Sequence, residues 1–487
     1  MNDQRWSNCT LAAAAICVGT LIPRLFLLAK YREALLESDE AIVGLMARHI
    51  LTGEFPVFYW GQHYMGTLEA FITAGLFFLM GSSSLVLKLS PLLFFGAFVV
   101  AYYYLARRLT GRETSVLATA LVGISPAFLT IWSLKSRGGY SALLLFGTLG
   151  LLLAVHILDR QEPAKGHYFL LGLVSGLAWW SHPLAAVYIV PIMIALLWRR
   201  GITIGLPNSA LGLSGFAIGS APFWIYNITH SWVSFESRLS KQTTIGEDLA
   251  NFFGTGLPII LGARPNWSQT DLWPGAGVLV TALLLLGTAL SFKKWRKARS
   301  SARFAQEGWL VIFLFVLLFP ILFFSSGMAW FVAEPRYLIP LYSVIYILLL
   351  MGIPKKPLRF GVCVSFLALH LAGSFVIKHT EFVGYTNVES NSALIGFLRS
   401  KEIRQAFAPY WIAYRLTFES DEEIIASPPE ADVVRYELYF QEVKSAEKPA
   451  YIHLNAPRYE GLHHEISPPD GYTVTRIGAY EVFTATQ

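Results

Sequence analysis

The stretch Glu37-Ser38-Asp39-Glu40-Ala41 sets two adjacent carboxylates just beyond a long apolar segment. A carboxylate at the edge of a bilayer can be desolvated and can take a proton from a hydroxyl, so Asp39 or Glu40 is a candidate general base. A plainer reading competes with it: Ser38 caps the helix that follows, and two first-turn acids favour its positive end. Composition does not choose between them. The same loop continues through Ala47-Arg48-His49-Ile50, Gly53-Glu54-Phe55-Pro56 and Tyr59-Trp60-Gly61-Gln62-His63-Tyr64-Met65-Gly66. Ile42, Leu45, Met46 and Ile50 recur at helical spacing, which predicts a helix over 39–51 lying flat on the membrane.

The elements that position this loop are membrane spans. Of 487 residues, 54% are hydrophobic and only 14% charged, whereas a soluble chain carries about a quarter charged residues. This excludes an ordinary cytosolic enzyme, a disordered chain and a nucleic-acid binder. Cys9, Cys17 and Cys363 all lie in apolar stretches, so neither a disulfide framework nor a zinc knuckle is available, and no His/Cys/Asp cluster has metal-ligand spacing. No tightly bound metal or cofactor is expected.

Segments apolar enough to span are 8–29, 66–81, 84–106, 115–133, 140–158, 167–181, 184–198, 204–226, 275–292, 308–329, 336–353 and 359–377. Basic clusters prefer the cytoplasm. They fall at Arg107-Arg108 with Arg112, Arg160 with Lys165, Arg199-Arg200, Lys293 through Arg299, and Lys355-Lys356 with Arg359. Two spans separate each cluster from the next, but three lie between Arg5 and Arg107, so one does not cross. Segment 66–81 carries Glu69 and ends at Gly81-Ser82-Ser83-Ser84, which predicts an interfacial helix. The expectation is a polytopic α-helical membrane protein of about eleven transmembrane helices plus interfacial helices. Its N-terminus would be cytoplasmic, and the loop 30–83, the turn 134–139 and the tail would lie outside.

Residues 1–377 carry a net charge of +12 and residues 378–487 one of −6. The tail is soluble in composition and is expected to be a small extracytoplasmic α/β domain, helical over 391–400 and strand-like over 406–418, 423–426, 450–454 and 472–485.

The order of these features resembles the GT-C superfamily of membrane glycosyltransferases: Asp-Glu-Ala after the first span, Ala-x-x-Ile-x-x-Gly and Pro, an aromatic-Gly-Gln-x-Tyr segment, an interfacial helix ending in Gly81, and a basic-ended second span. Within it the chain is similar to the dolichyl-phosphate-mannose protein mannosyltransferase and RgtA/B/C/D-like group, best over about residues 20–185. The resemblance implies a GT-C-like transmembrane domain over 1–377 in the bacterial inner membrane. It implies a polyprenyl-phosphate sugar as lipid-linked donor, and inverting transfer to a glycan, lipid or protein acceptor. Asp39 would be the base and Glu40 its neighbour. Lys135 and Arg137, in Lys135-Ser136-Arg137-Gly138-Gly139-Tyr140, and Arg336, in Glu334-Pro335-Arg336-Tyr337, would meet the donor phosphate. His63, Tyr64, Lys88, Tyr140, His182 and Glu334 would line the site. Snorkelling is the plain reading of Lys88, Lys135, Arg137 and Arg24.

Two departures from relatives stand out. The second outer turn lacks the acid that helps bind a divalent metal in several of them, and the first loop lacks the Lys-Pro-Pro of lipid A aminoarabinose transferases. Both speak against a metal-dependent assignment and against lipid A or aminoarabinose as substrates. The alternatives are a transporter or lipid flippase, which would show mid-membrane charges or a repeated topology, and a non-catalytic scaffold whose acidic tail binds partners.

Overall fold

The computed structural model describes residues 15–486 apart from 17, 33–35, 202–204, 237–242, 266–269, 301–306, 327–334, 379–389, 455–467 and 469. Among the described residues five helices are long and apolar enough to cross a membrane: Ser84–Leu109, Tyr140–Leu158, Pro183–Arg200, Ala276–Ala298 and Lys356–Phe375. A sixth forms if Pro335–Ser343 and Ile345–Gly352, bent by 53°, are one span. The chain is an integral membrane protein. The remaining expected spans are shorter or broken. Segment 115–133 is the helices Arg112–Gly123 and Ala127–Trp132, interrupted at Pro126, and 204–226 is Gly205–Gly219 followed by Ala221–Thr229. Proline removes a backbone donor and clashes with the preceding turn, so apolar length alone overstates helix length.

The Pro126 break is filled from another helix. Arg24, expected to snorkel, is fully buried. It donates to the Gly123 carbonyl (3.1 Å), Ser125 Oγ (2.8 Å) and Ser133 Oγ (2.6 Å), with its guanidinium over the Phe95 ring. Carbonyls freed at a helix end need donors, and here a guanidinium supplies them.

The basic clusters gather at one end of the bundle. Arg108 pairs with Asp159, Arg199 with Glu307, and Lys356 with Glu113, while Arg200 donates to the Ile157 and Gln161 carbonyls. Between the ends, helices Lys165–Ser181 and Gly205–Gly219 cross backbone to backbone through glycines. A Cβ on Gly172 would meet the Gly212 carbonyl oxygen at 1.9 Å, and one on Gly215 the Phe169 carbonyl oxygen at 2.1 Å. Small residues at a crossing permit this approach.

The C-terminal region forms a five-stranded sheet of order β2-β1-β3-β5-β4. Its strands are β1 Gln405–Phe407, β2 Ile425–Ser427, β3 Ala450–Leu454, β4 Tyr472–Ile477 and β5 Tyr480–Ala485. β1 is parallel to β2 and β3, and β5 is antiparallel to β3 and β4. The stretch 406–418 is not one strand. It is the end of β1 and, after Pro409, the helix Tyr410–Glu419, which makes the crossover to β2. Its pattern misleads because both faces are buried: Ile412, Ala413 and Leu416 pack on the sheet, while Tyr410, Tyr414 and Phe418 pack on the first-loop helix.

That first-loop helix, Ser38–Leu51, does not lie flat on a membrane with one face wet. It is buried from Ser38 to Ala47, enclosed by helix Leu68–Met80 and by helix Tyr410–Glu419. Ala41, Gly44 and Ala47 give it a second face of small residues. At Gly44 a Cβ would come within 2.5 Å of the Phe418 ring.

If the glycine crossing sets the spacing of these two helices, Gly172→Leu should lower the thermal unfolding midpoint of the detergent-solubilised protein by several degrees. An unchanged midpoint would show that the crossing tolerates a large side chain.

Candidate active site

The acids enter the site through the way the chain enters the first-loop helix. Glu37 is the residue before its first turn, in extended conformation (φ −109°, ψ 168°), with no side-chain cap. Ser38 is the first helical residue, and its buried hydroxyl has no hydrogen-bond partner among the described residues. Ser38 therefore does not cap the helix, although Asp39 and Glu40 do stand in its first turn. The carboxylates turn instead toward the turn 134–139. Lys135 Nζ lies 3.0 Å from Glu37 Oε2. Arg137 spans two acids, Nη1 to Glu37 Oε1 at 2.8 Å and Nη2 to Asp39 Oδ2 at 2.6 Å. Glu40 Oε1 takes Lys88 Nζ at 2.5 Å and the Ser136 backbone N–H at 3.0 Å. A fourth acid, Glu69 of helix Leu68–Met80, takes the Gly139 N–H at 3.3 Å. Gly138 and Gly139 adopt φ of 70° and 73°. A Cβ on Gly139 would stand 2.9 Å from the Ser181 carbonyl oxygen, so this turn needs glycine for both conformation and space.

Two more hydroxyls reach Asp39. The Tyr59 hydroxyl lies 3.0 Å from its carbonyl oxygen and 3.4 Å from Oδ1, and the Tyr410 hydroxyl donates to Oδ1. Arg435 Nε donates to the Tyr410 oxygen at 3.2 Å.

Burial separates the two carboxylates of the motif. The Glu40 side chain is 0% exposed, as is that of Lys88, whereas Asp39 keeps 12%. Burial pushes Asp39 up, but Arg137, Arg435, the Tyr410 hydrogen bond and Arg336 outweigh it, so its pKa lies below the ordinary carboxylate value. Glu37 is likewise held down: burial raises it, and Arg137 and Lys135 prevail. For Glu40 burial wins despite Lys88, and its pKa is raised. Burial pushes Glu69 up to about 7. Of the pair, Asp39 is the one that is both ionised and reachable.

Several expected roles change. Lys88 does not snorkel, because its ammonium is buried against Glu40. Lys135 and Arg137 do not present unshared charge to a phosphate; they neutralise Glu37 and Asp39, since carboxylates out of water need counter-charges at contact distance. Arg336 is half-buried, acts electrostatically on Asp39, and lies over the Tyr337 ring. Beside it His182 contacts Tyr64, Tyr140 and Tyr337, with ring centroids 6.2, 5.0 and 6.3 Å away. His182 Nδ1 accepts the Leu184 N–H at 3.0 Å, and burial and Arg336 push its pKa down to about 3, so it is neutral. His63 points elsewhere, hydrogen-bonded to the Tyr226 hydroxyl. Glu334 lies outside the described residues. Among those residues no group of three or more His, Cys, Asp or Glu could hold a metal ion.

Beyond the acids, a clasp ties the loop to the C-terminal region. His49 Nδ1 lies 2.7 Å from Glu54, and its Nε2 lies 3.1 Å from Glu422 and 3.0 Å from the Tyr439 hydroxyl. Trp60 stacks on Tyr436 with centroids 3.9 Å apart. Arg48 pairs with Asp421 at 2.7 Å.

Glu37, Glu69, Tyr59, Tyr410 and Arg435 were not singled out as site residues by the sequence. Glu37 stands in the motif itself, and Glu69 was legible as the one charge in an apolar helix. Nothing local marks Tyr410 or Arg435, which arrive from 371 and 396 positions beyond Asp39.

With this geometry in place, comparison with known proteins gives a consistent class. Residues 66–226 match the model of the dolichyl-phosphate-mannose-protein mannosyltransferase family. The whole fold is similar to that of ArnT from Cupriavidus metallidurans bound to undecaprenyl phosphate, with a TM-score of 0.60 at 12% identity, covering 99% of this chain and 98% of that one. It is also similar to the archaeal oligosaccharyltransferase AglB from Archaeoglobus fulgidus in complex with an inhibitory peptide and a dolichol-phosphate, with a TM-score of 0.51 at 12% identity, covering 92% and 70%. No curated protein sequence matches. The chain has the fold of the GT-C membrane glycosyltransferases, the superfamily its sequence resembles.

Two outcomes follow from the site. Lys88→Met strands a buried carboxylate and should cost about 3–5 kcal/mol, read as a lower unfolding midpoint; adding Glu40→Gln should recover part of it. An unchanged midpoint for the single variant would contradict the pairing. For His49, burial lowers the pKa but Glu422 and Glu54 raise it above the ordinary value. The clasp is therefore strongest below that ordinary value and weakens as pH rises through the raised one. Hydrogen exchange at 48–54 and 436–440, corrected for intrinsic rate, should speed up over that interval; flat protection would remove His49 from the clasp.

Proposed function

We propose that this protein transfers a sugar from a polyprenyl-phosphate-linked donor to an acceptor hydroxyl on the outer face of the membrane, with inversion at the anomeric carbon. The observation that carries this reading is Asp39, an ionised, partly reachable carboxylate fixed among cations. An acceptor hydroxyl beside Oδ2 gives its proton to Asp39 and attacks from the face opposite the phosphate. Polyprenyl phosphate departs readily, so no acid is required on that side. Glu40, locked to Lys88, shapes the site from beneath. Arg336 meets the donor phosphate, while Arg137 and Lys135, balanced by Glu37 and Asp39, hold the acids in place and offer the phosphate only their remaining N–H groups. Tyr64, Tyr140 and His182 line the path between Arg336 and Asp39, and Glu334 stands two residues before Arg336 in sequence. The solved structures of similar fold that hold undecaprenyl phosphate and dolichol-phosphate support this donor class.

The remaining assignments belong to the same reading: eleven crossings of a bacterial inner membrane, the N-terminus in the cytoplasm, and residues 378–487 as an extracytoplasmic domain above the site. The acceptor is a glycan, a lipid or a protein. Transport fits less well, because the acids and their counter-charges cluster beside one outer turn rather than along a path across the membrane.

Asp39→Asn tests it. Cells without the protein should accumulate a lipid-linked sugar that identifies the donor, and the wild-type gene should clear it. The Asn variant, expressed at equal level, should clear it about 10²–10⁴-fold more slowly, the usual worth of a general base. Clearance by the variant at the wild-type rate would sink the proposal.

A further inference from the structure

The two oxygens of Asp39 are gripped by different parts of the chain. Oδ2 takes Arg137 from the second outer turn. Oδ1 takes the hydroxyl of Tyr410, the first residue of the helix that follows Pro409. The Tyr59 phenol carries a single proton, and its shorter contact is to the Asp39 carbonyl rather than to Oδ1. Each carboxylate oxygen has two lone-pair sites, but two phenol oxygens crowd Oδ1, whereas Oδ2 meets only Arg137 among the described residues and is the less obstructed of the two.

Tyr410 is itself fixed. Its oxygen accepts from Arg435 Nε at 3.2 Å, which commits its own proton to Asp39. Its backbone N–H donates to Asp432 Oδ2 at 3.2 Å, and the backbone N–H of Arg435 donates to the Tyr414 hydroxyl at 2.5 Å. The Tyr410 ring is buried. Two residues of the C-terminal region therefore reach the carboxylate at the start of the first outer loop.

We propose that Tyr410, held by Arg435, is a positioning residue for transfer: it pins Oδ1 so that Oδ2 faces the acceptor hydroxyl, which makes the C-terminal region an obligatory part of the active site. This rests on reading Asp39 as the base. In the step, the acceptor O–H proton passes to Oδ2 and the acceptor oxygen bonds to the anomeric carbon. The bond from that carbon to the phosphate oxygen breaks with its electron pair going to the phosphate. Tyr410 keeps its proton throughout and acts only through Asp39. The charged or titratable groups facing Asp39 are Arg137, Arg336, Arg435, Tyr410, Tyr59 and Tyr64, with Glu37 beside it in the chain.

The test is the titration of Asp39 in the full-length protein in nanodiscs. It is followed by pH-difference infrared spectroscopy and assigned by the carboxyl band that disappears in Asp39→Asn. A hydrogen bond to the charged form holds a carboxyl pKa down. Tyr410→Phe, which keeps the ring, should therefore move the midpoint up by about one to two pH units, the usual size for a hydrogen bond to a charged group. Arg435→Gln should move it in the same direction and serves if Tyr410→Phe does not fold. In the deletion strain, Tyr410→Phe should clear the accumulated lipid-linked sugar more slowly, with a deficit that grows as the medium is acidified. A merely structural role would give a pH-independent deficit and an unmoved midpoint, and either result overturns the proposal. Normal clearance by Asp39→Asn would instead overturn the base assignment, whatever the infrared midpoint shows.

Discussion

The structure depends on one guanidinium. Arg137 bridges Glu37 and Asp39 from a turn that glycines make possible, and the rest of the site follows from the cost of bringing those carboxylates out of water. Ionised groups persist in a poorly solvated place only when counter-charges and hydrogen-bond donors surround them. The fold delivers these from distant elements: Lys135 and Arg137 from the turn 134–139, Lys88 from the start of a span, Tyr59 from the first loop, Tyr410 and Arg435 from the C-terminal sheet region. What results is a carboxylate held in one orientation with its pKa pulled below the ordinary value, which on the proposed reading leaves little to reorganise when charge develops.

The same logic explains why the first-loop helix is enclosed rather than spread on the membrane. Its apolar stripe and its small-residue face both need partners, and the helix Tyr410–Glu419 supplies the second. The clasp around His49 and Trp60 closes the far end of this interface. Position at one end of the helix is thereby coupled to the C-terminal region at both ends, which gives that region a part in the site.

Much of the membrane body was legible because it follows from hydropathy and charge: the apolar helices and the common end where basic clusters gather. Span lengths were less legible, since Pro126, Ser220 with Pro222, and the bend between Ser343 and Ile345 break stretches that read as continuous. The tail helix after Pro409 was hidden by burial on two faces, which erases the polar stripe that marks a helix. Charge partnerships were the least legible. Lys88, Lys135 and Arg24 look like snorkelling residues by position, and only three-dimensional proximity shows that each is buried against specific acceptors. Tyr410 and Arg435 carry no local mark at all, because their significance lies in what they touch.

The central claim is that Asp39 and Arg336 face the two ends of one donor site. A cryo-electron microscopy structure of the full-length protein in lipid nanodiscs with undecaprenyl phosphate tests it most directly. The account predicts the phosphate against the Arg336 guanidinium, with Tyr140 and His182 beside it and a clear line to Asp39 Oδ2. A phosphate seated at the basic end of the bundle, away from Arg336 and Asp39, would contradict it.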